Sequence, residues 1–212
     1  MQGFRRIFTS LTLLAASLPL AVLGSSQSIS VQTDWDKANF GLSGAAQKVA
    51  MEELVATCVS GTEEQPGDVA LLTWCGIVNS TYAGLASSFS AMKYARSAKT
   101  MLDRAIELSP DALQGAAKTS LGTLYYKVPG WPIGFGDSDK AEALLKEGLA
   151  VNPLGIDANY FYADYLLEQK DYDGARQHLE RALKAQPRSG RELADAGRRK
   201  EIQSLIADIE GR

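Results

Sequence analysis

Residues 159–187 read NYFYADYLLEQKDYDGARQHLERALKAQP and predict two short helices joined by the turn-forming segment KDYDG. After the turn, Ala175, Leu179 and Ala182 recur at spacings of four and three residues, which places them on one face of the second helix. Pro187 ends that helix, because proline cannot continue it. A short helical hairpin of this kind cannot bury its apolar face alone, so the stretch predicts neighbours of the same type.

The hairpin pattern recurs upstream. The positions of Ala175, Leu179, Ala182 and Pro187 are matched 34 residues earlier by Ala141, Leu145, Gly148 and Pro153, and a further 43 residues earlier by Ala98, Leu102, Ala105 and Pro110. The preceding helices also correspond, since Leu121-Gly122-x-x-Tyr125 aligns with Tyr162-Ala163-x-x-Leu166 and, more loosely, with Leu85-Ala86-x-x-Phe89. Several matches at one offset favour internal repeats over an ordinary helical bundle with chance spacing.

A 34-residue period with small, aromatic, alanine and proline positions resembles the tetratricopeptide repeat (TPR) over about residues 82–187. The resemblance implies an all-α, TPR-like solenoid of helical hairpins with about eight helices and a C-terminal capping helix. The sequence departs from the family pattern in lacking tryptophan at the opening positions and in having Gly148 where an alanine is usual. The predicted repeat units are about 79–110, 115–153 and 156–187, with the capping helix at about 191–210.

The N-terminus predicts export. Residues 1–24 have the features of a signal peptide, because Arg5 and Arg6 precede an apolar run that ends in small residues near Gly24. An uncleaved membrane anchor is the alternative, although the run is short for a bilayer span and no later segment is apolar enough to be one. Cleavage near Gly24 would place the protein in the periplasm or outside the cell.

The segment after the leader is polar. Residues 25–42 are predicted to be a loose N-terminal arm, which Trp35 and Phe40 could attach to the body. Residues 43–212 are then predicted to form a single TPR-like helical domain.

The two cysteines lie on neighbouring predicted helices. Cys58 and Cys75 are equidistant from the turn near Gln65 and Pro66, so they should face each other across an antiparallel pair. An oxidising compartment would allow a disulfide between them. Two buried free thiols are the alternative.

Residues 128–136, VPGWPIGFG, interrupt the middle unit between its two helices. Glycines and prolines exclude a helix here, while Trp131 and Phe135 are strongly apolar. The insertion is therefore expected to fold back, bury Trp131 and form one wall of a groove near Tyr126. Asp137 or Ser138 could cap the next helix.

The sequence carries no recognisable catalytic, cofactor-binding or metal-binding motif, so a non-enzymatic protein without cofactor or metal is expected. The single histidine, His178, has polar neighbours and is interpreted as solvated. The acidic residues of the last unit, such as Asp157 and Asp164, are interpreted as a solvated face. A net charge of -3 disfavours a nucleic-acid partner.

A binding surface remains as the expected function. The TPR resemblance implies that a protein or peptide partner lies on the concave face, which the first helix of each pair lines. Core packing or an ordinary surface position is the alternative role for each candidate. The candidate groove residues are Thr119, Thr123, Tyr126, Trp131, Phe135, Tyr160, Asp164 and Leu167.

A more specific resemblance suggests an alternative function. The leader, the irregular repeats and the insertion after Leu121-Gly122-x-Leu124-Tyr125-Tyr126 are similar to the periplasmic T-component proteins of TRAP transporters. That resemblance implies self-assembly, a solute-binding protein as partner and a small apolar ligand near Trp131 and Phe135. The chain departs from that family in being shorter and in lacking a lipid-bearing cysteine near its leader. An enzyme with an unfamiliar site is the third hypothesis.

Overall fold

A computed structural model describes residues 25–211, which form nine α-helices and no strand. The leader predicted over residues 1–24 lies outside the described residues. Within residues 25–211 no helix has the length and apolar character needed to cross a membrane. The helices are α1 Ser26–Gly41, α2 Gly44–Glu64, α3 Val69–Leu85, α4 Ser88–Leu108, α5 Ala112–Lys127, α6 Ser138–Val151, α7 Ile156–Glu168, α8 Tyr172–Leu183 and α9 Glu192–Glu210.

The predicted all-α hairpin solenoid is confirmed. Helices α3 and α4, α5 and α6, and α7 and α8 pack as successive pairs, and each pair also contacts the next. The repeated positions form the seams of these pairs, because Leu102, Leu145 and Leu179 are all at most 1% exposed. Burial of one large side chain between small ones in each pair stabilises the crossing by roughly 1.5–3 kcal/mol per leucine.

The first predicted repeat unit, about 79–110, starts inside a helix. Helix α3 begins at Val69, and Asp68 caps it by accepting a hydrogen bond from the Leu71 nitrogen at 2.9 Å. It ends at Leu85, before the break at Ala86 and Ser87, which settles where the two helices separate.

Gly148 departs from the repeat pattern for a steric reason. A Cβ built at this position would clash with Thr119 Oγ1 and would lie 3.2 Å from the backbone nitrogen of Thr119. The carbonyl oxygen of Gly115 would lie 3.4 Å from the same Cβ. Helices α5 and α6 therefore approach more closely than an alanine would permit.

The N-terminal segment is a helix, not the predicted loose arm. Ser25 caps α1, and its apolar residues Val31, Trp35 and Ala38 are buried at spacings of four and three. The Trp35 indole donates a hydrogen bond to Thr81 Oγ1 at 2.9 Å and thereby attaches α1 to α3. Three apolar residues are enough to stabilise α1 as a helix, because they pack against α3 and most helical stability in proteins comes from such tertiary packing.

The C-terminal helix contacts the N-terminal one. Phe40 of α1 packs against Gly197 of α9, and Arg191, which precedes α9, forms two hydrogen bonds of 2.7 Å with Asp36. The end of the solenoid at α9 is therefore covered by α1. The row of helices closes on itself.

Cys58 and Cys75 form a disulfide between α2 and α3, with their Cα atoms 5.3 Å apart. Both residues are fully buried, beside Met51 and Leu71 in the N-terminal core. The free-thiol alternative is therefore excluded for this structure.

The prediction that Trp131 is buried is wrong, because its side chain is 90% exposed. The insertion does fold back, but Phe135 makes the contact by packing edge-on against Tyr125 at a centroid distance of 5.7 Å. The Gly136 nitrogen also donates to the Pro129 oxygen at 2.9 Å, which closes the loop at its base. Since one aromatic anchor holds the loop, its tip is free to point outward.

Candidate binding cavity

The inner faces of the odd-numbered helices surround a cavity of about 730 Å³. Helices α1, α3, α5 and α7 supply three sides, while the α8–α9 connection and Arg198 of α9 supply the fourth. The cavity forms because α1 and α9 meet and convert a concave groove into a cup. Its volume falls within the range of about 300–1,000 Å³ that is usual for ligand sites.

One wall of the cavity is aromatic and aliphatic. Trp35 of α1 and Trp74 of α3 pack with their ring centroids 5.8 Å apart, and Ile77 extends this wall along α3. Phe161 of α7 also lines the cavity. These side chains provide the apolar contact area that recognition sites need.

A second wall is polar and comes from α5. Thr119, Ser120 and Thr123 line the cavity. The Ser120 hydroxyl can donate or accept hydrogen bonds, and Thr123 Oγ1 can accept one while it donates to the Thr119 oxygen at 2.9 Å. Thr119 Oγ1 instead lies against Gly148 of α6. The turn before this wall has an unusual backbone, since Leu113 and Gln114 adopt positive φ values of 48° and 57°. Such left-handed residues cost roughly 1–2 kcal/mol each, and both line the cavity.

The rim of the cavity holds a cluster of ion pairs centred on Asp157. Its carboxylate accepts hydrogen bonds from Arg188 Nη1 at 2.6 Å and from Arg198 Nε at 2.9 Å. Arg188 also pairs with Asp195, and Arg198 lies over the Tyr160 ring at 4.2 Å. Although burial favours the neutral acid, Arg198 and Arg188 hold the pKa of Asp157 at about 2.

The second ion pair of the rim joins the two ends of the fold. Asp36 binds Arg191, whose guanidinium also lies 4.8 Å from the centre of the Trp74 ring. Burial raises the pKa of Asp36, and the hydrogen bonds from Arg191 oppose that effect. Because each of these arginines has an aspartate partner, the rim does not present the uncompensated positive charge that nucleic acid would require.

The structure separates the candidate residues that the sequence grouped together. Thr119 and Thr123 line the cavity. The Tyr126 hydroxyl donates to Asp164 at 2.7 Å and lies outside the lining, as does Tyr160 beneath Arg198. Leu167 packs against the C-terminal core, Phe135 packs on Tyr125, and Trp131 is exposed on the surface.

Two interpretations of charged and titratable residues need correction. Asp157 is not part of a solvated face, because it bridges two arginines. His178 is half-buried rather than solvated; its Nδ1 lies 3.0 Å from Asn159 Oδ1 and its ring packs edge-on against Tyr162. Burial lowers the pKa of His178. Among the described residues there is no group of three or more acidic, histidine or cysteine side chains that could hold a metal ion.

Sequence reasoning missed most of the cavity lining. The 34-residue period gives no signal for the aromatic residues of the lining. Trp35 and Trp74 precede the predicted repeat units, and Phe161 lies within the last unit but not at one of its recurring positions. Arg188, Arg191 and Arg198 follow the last repeat in a segment rich in charge, which is normally solvated. Their partners Asp36 and Asp157 are distant in sequence, and no local sequence pattern indicates such ion pairs.

Comparison with known proteins supports the repeat assignment. Residues 133–190 match the family model described as tetratricopeptide repeat. The fold resembles that of TTC0263, a thermophilic TPR protein of Thermus thermophilus, with a TM-score of 0.57 and 17% identity over 76% of this chain and 79% of that one. The MamA RS-1 ArsTM double mutant has a TM-score of 0.47 and 13% identity, over 90% of this chain and 100% of that one. No curated protein matches the chain in sequence.

Proposed function

Because the chain carries tetratricopeptide repeats, we propose that it is a non-enzymatic binding protein whose cavity holds an extended segment of a protein partner. The repeat fold is that of a helical protein-interaction module. The observation that carries the proposal is the cup formed where α1 meets α9, since it brings aromatic side chains and hydroxyl-bearing side chains around one cavity. Apolar side chains of a partner would contact Trp35, Trp74 and Phe161, while its peptide groups would form hydrogen bonds with Ser120 and Thr123.

Filling the cavity should abolish partner binding. Ser120→Trp places a large side chain among the lining residues, and we expect the affinity for selected peptides to fall at least tenfold. Peptides would first be selected from a displayed random library against the wild-type protein, and their dissociation constants would then be measured by calorimetry for each variant.

Gln177→Trp is the matched control, because Gln177 is exposed on the outer face of α8, away from the buried residues Ala175 and Leu179. This variant should keep wild-type affinity. Peptides that bind the Ser120→Trp variant as tightly as the wild type would contradict the proposed location of the site.

A small apolar ligand is the second candidate occupant, as a transport accessory protein would require. The cavity volume favours it, since about 730 Å³ suits a small molecule. The proposed location moves from Trp131 and Phe135 to the cavity, because Trp131 is exposed and Phe135 is packed against Tyr125. Native mass spectrometry of the purified protein distinguishes the two occupants, since a retained small molecule would add a discrete mass.

We also propose that the protein is exported and binds its partner outside the cytoplasm. The apolar run after Arg5 and Arg6 motivates it, and the Cys58–Cys75 disulfide supports it, because such bonds persist in oxidising compartments. We expect intact-mass analysis of the protein from its source to show a mature chain that begins near Ser25. Recovery of the full-length mass in the soluble cytosol would refute this proposal.

A further inference from the structure

One edge of the molecule exposes large apolar side chains on two adjacent elements. Trp131 and Ile133 at the tip of the 128–136 loop are 90% and 71% exposed, and Phe89 in the first turn of α4 is 99% exposed. The loop lies against α4, because a Cβ built at Gly134 would be 2.9 Å from the Cε atom of Met92. Exposed apolar residues grouped in this way mark an interaction surface more often than single ones do.

The loop holds its tip in a defined orientation. The nitrogens of Ile133 and Gly134 both donate to the Gly130 oxygen at 3.1 Å, which forms a tight turn at the tip. At the base, the Asp137 nitrogen donates to the Tyr125 oxygen at 2.9 Å, and Phe135 packs on the same tyrosine. Trp131 and Ile133 therefore project from an anchored support.

Positive charge lies beside the exposed apolar residues. Lys93 and Arg96 follow Phe89 by four and seven residues, so all three share the outward face of α4. Both cations are exposed, and within residues 25–211 neither has a carboxylate partner. The neighbouring cations differ, because Lys99 pairs with Asp103, Lys127 with Asp164 and Glu168, and Lys140 with Asp137.

We propose that this edge, formed by Phe89, Lys93, Arg96, Trp131 and Ile133, docks the protein on the surface of an anionic lipid bilayer. The indole and the isoleucine enter the headgroup region, where amphipathic aromatic rings are favoured, and the two cations face lipid phosphates. A bilayer accepts single projecting side chains without a matching pocket, whereas a protein partner would have to supply one for each. The proposal is independent of the occupant of the cavity.

Vesicle co-sedimentation of the purified whole chain tests the proposal. With vesicles that contain phosphatidylglycerol, we expect the lipid concentration for half-binding to rise at least tenfold in the Trp131→Ala/Ile133→Ala variant. Lys93→Glu/Arg96→Glu should weaken binding similarly, and added salt should weaken binding of the wild type. Leu154→Ala is the control, because Leu154 is also 71% exposed but lies on the α6–α7 connection.

Quenching by brominated lipid separates this surface from any contribution of residues 1–24, which every variant shares. The difference in quenching between wild type and Trp131→Phe reports contact of Trp131 itself with lipid, and a positive difference is expected. Equal binding of the double alanine variant, equal binding to neutral and anionic vesicles, or vesicle binding without quenching of Trp131 would each overturn the proposal. Concentration-dependent self-association through Trp131, without vesicle binding, would overturn it in favour of a second copy of the chain.

Discussion

Replacing Asp157 by Asn is expected to lower the free energy of unfolding by roughly 3 kcal/mol. The substitution leaves the guanidinium groups of Arg188 and Arg198 without the carboxylate that lies within 2.9 Å of both. Arg198 has a side chain only 7% exposed, so water cannot replace the lost partner, although Arg198 keeps an ion pair with Glu201 and Arg188 keeps one with Asp195. The expected cost is at the lower end of the range for a broken buried ion pair, because Asp157 itself is partly exposed.

The pH dependence of this effect has a definite sign. Folding lowers the pKa of Asp157 from 3.8 to about 2, so its stabilisation is present above the unfolded value and is lost as pH falls towards the folded value. The difference in stability between wild type and Asp157→Asn should therefore be constant near neutral pH and shrink below about pH 4.

Asp34→Asn provides the matched control for chemical denaturation. Asp34 pairs with Lys37 on the surface of α1, where the two side chains are 48% and 65% exposed. Such a pair contributes no more than about 1 kcal/mol, so this variant should unfold almost like the wild type. If the Asp157 and Asp34 variants lost the same small amount, the ion-pair cluster would have no special role in closing the fold.

Replacing Cys58 by Ser is expected to cost about 3 kcal/mol of stability, concentrated in helix α2 and its contact with α3. In the chain-entropy model a disulfide that closes a loop of this size lowers the conformational entropy of the unfolded chain, which stabilises the folded state by about 3 kcal/mol. Among the described helices, α2 packs on α1 and α3 alone, so the disulfide contributes a large share of the interactions that hold it. Chemical denaturation and limited proteolysis should show early loss of α1 and α2 while the three repeat pairs remain folded.

Reduction of the wild-type protein is the control, since it should produce the same loss without any substitution. Ser60→Ala should leave stability unchanged, because Ser60 is exposed on α2. Alkylation of the denatured, unreduced protein checks the premise. Two modified thiols per chain would show that the bridge is absent.

The repeat body could be predicted because its signals are local and periodic. Ala175, Leu179 and Ala182 recur with their counterparts, and each pair of helices packs on its sequence neighbour. The cysteine pair was predictable for the same reason, since an antiparallel hairpin fixes which positions face each other. Thr119 and Thr123 could be placed on the inner face because they belong to the first helix of a pair.

The cavity could not be predicted because it depends on contacts that are remote in sequence. Arg191 and Asp36 are 155 residues apart, and their pairing brings α1 beside α9. The polar segment around α1 gives little helical signal until Trp35 has a neighbour on which to pack. The exposure of Trp131 could not be predicted either, because Trp131 and Phe135 are both apolar enough to anchor the loop. In the structure Phe135 is the residue that packs against Tyr125.

Site-specific photo-crosslinking in the source cell tests the central claim, that the cavity is the binding site, most directly. A photoreactive amino acid would replace Thr123, which lines the cavity, or Gln177 on the outer face of α8. The proposed function predicts a discrete crosslinked species from position 123 that Ser120→Trp abolishes, and none from position 177. A crosslinked species from position 177 with none from position 123 would contradict it.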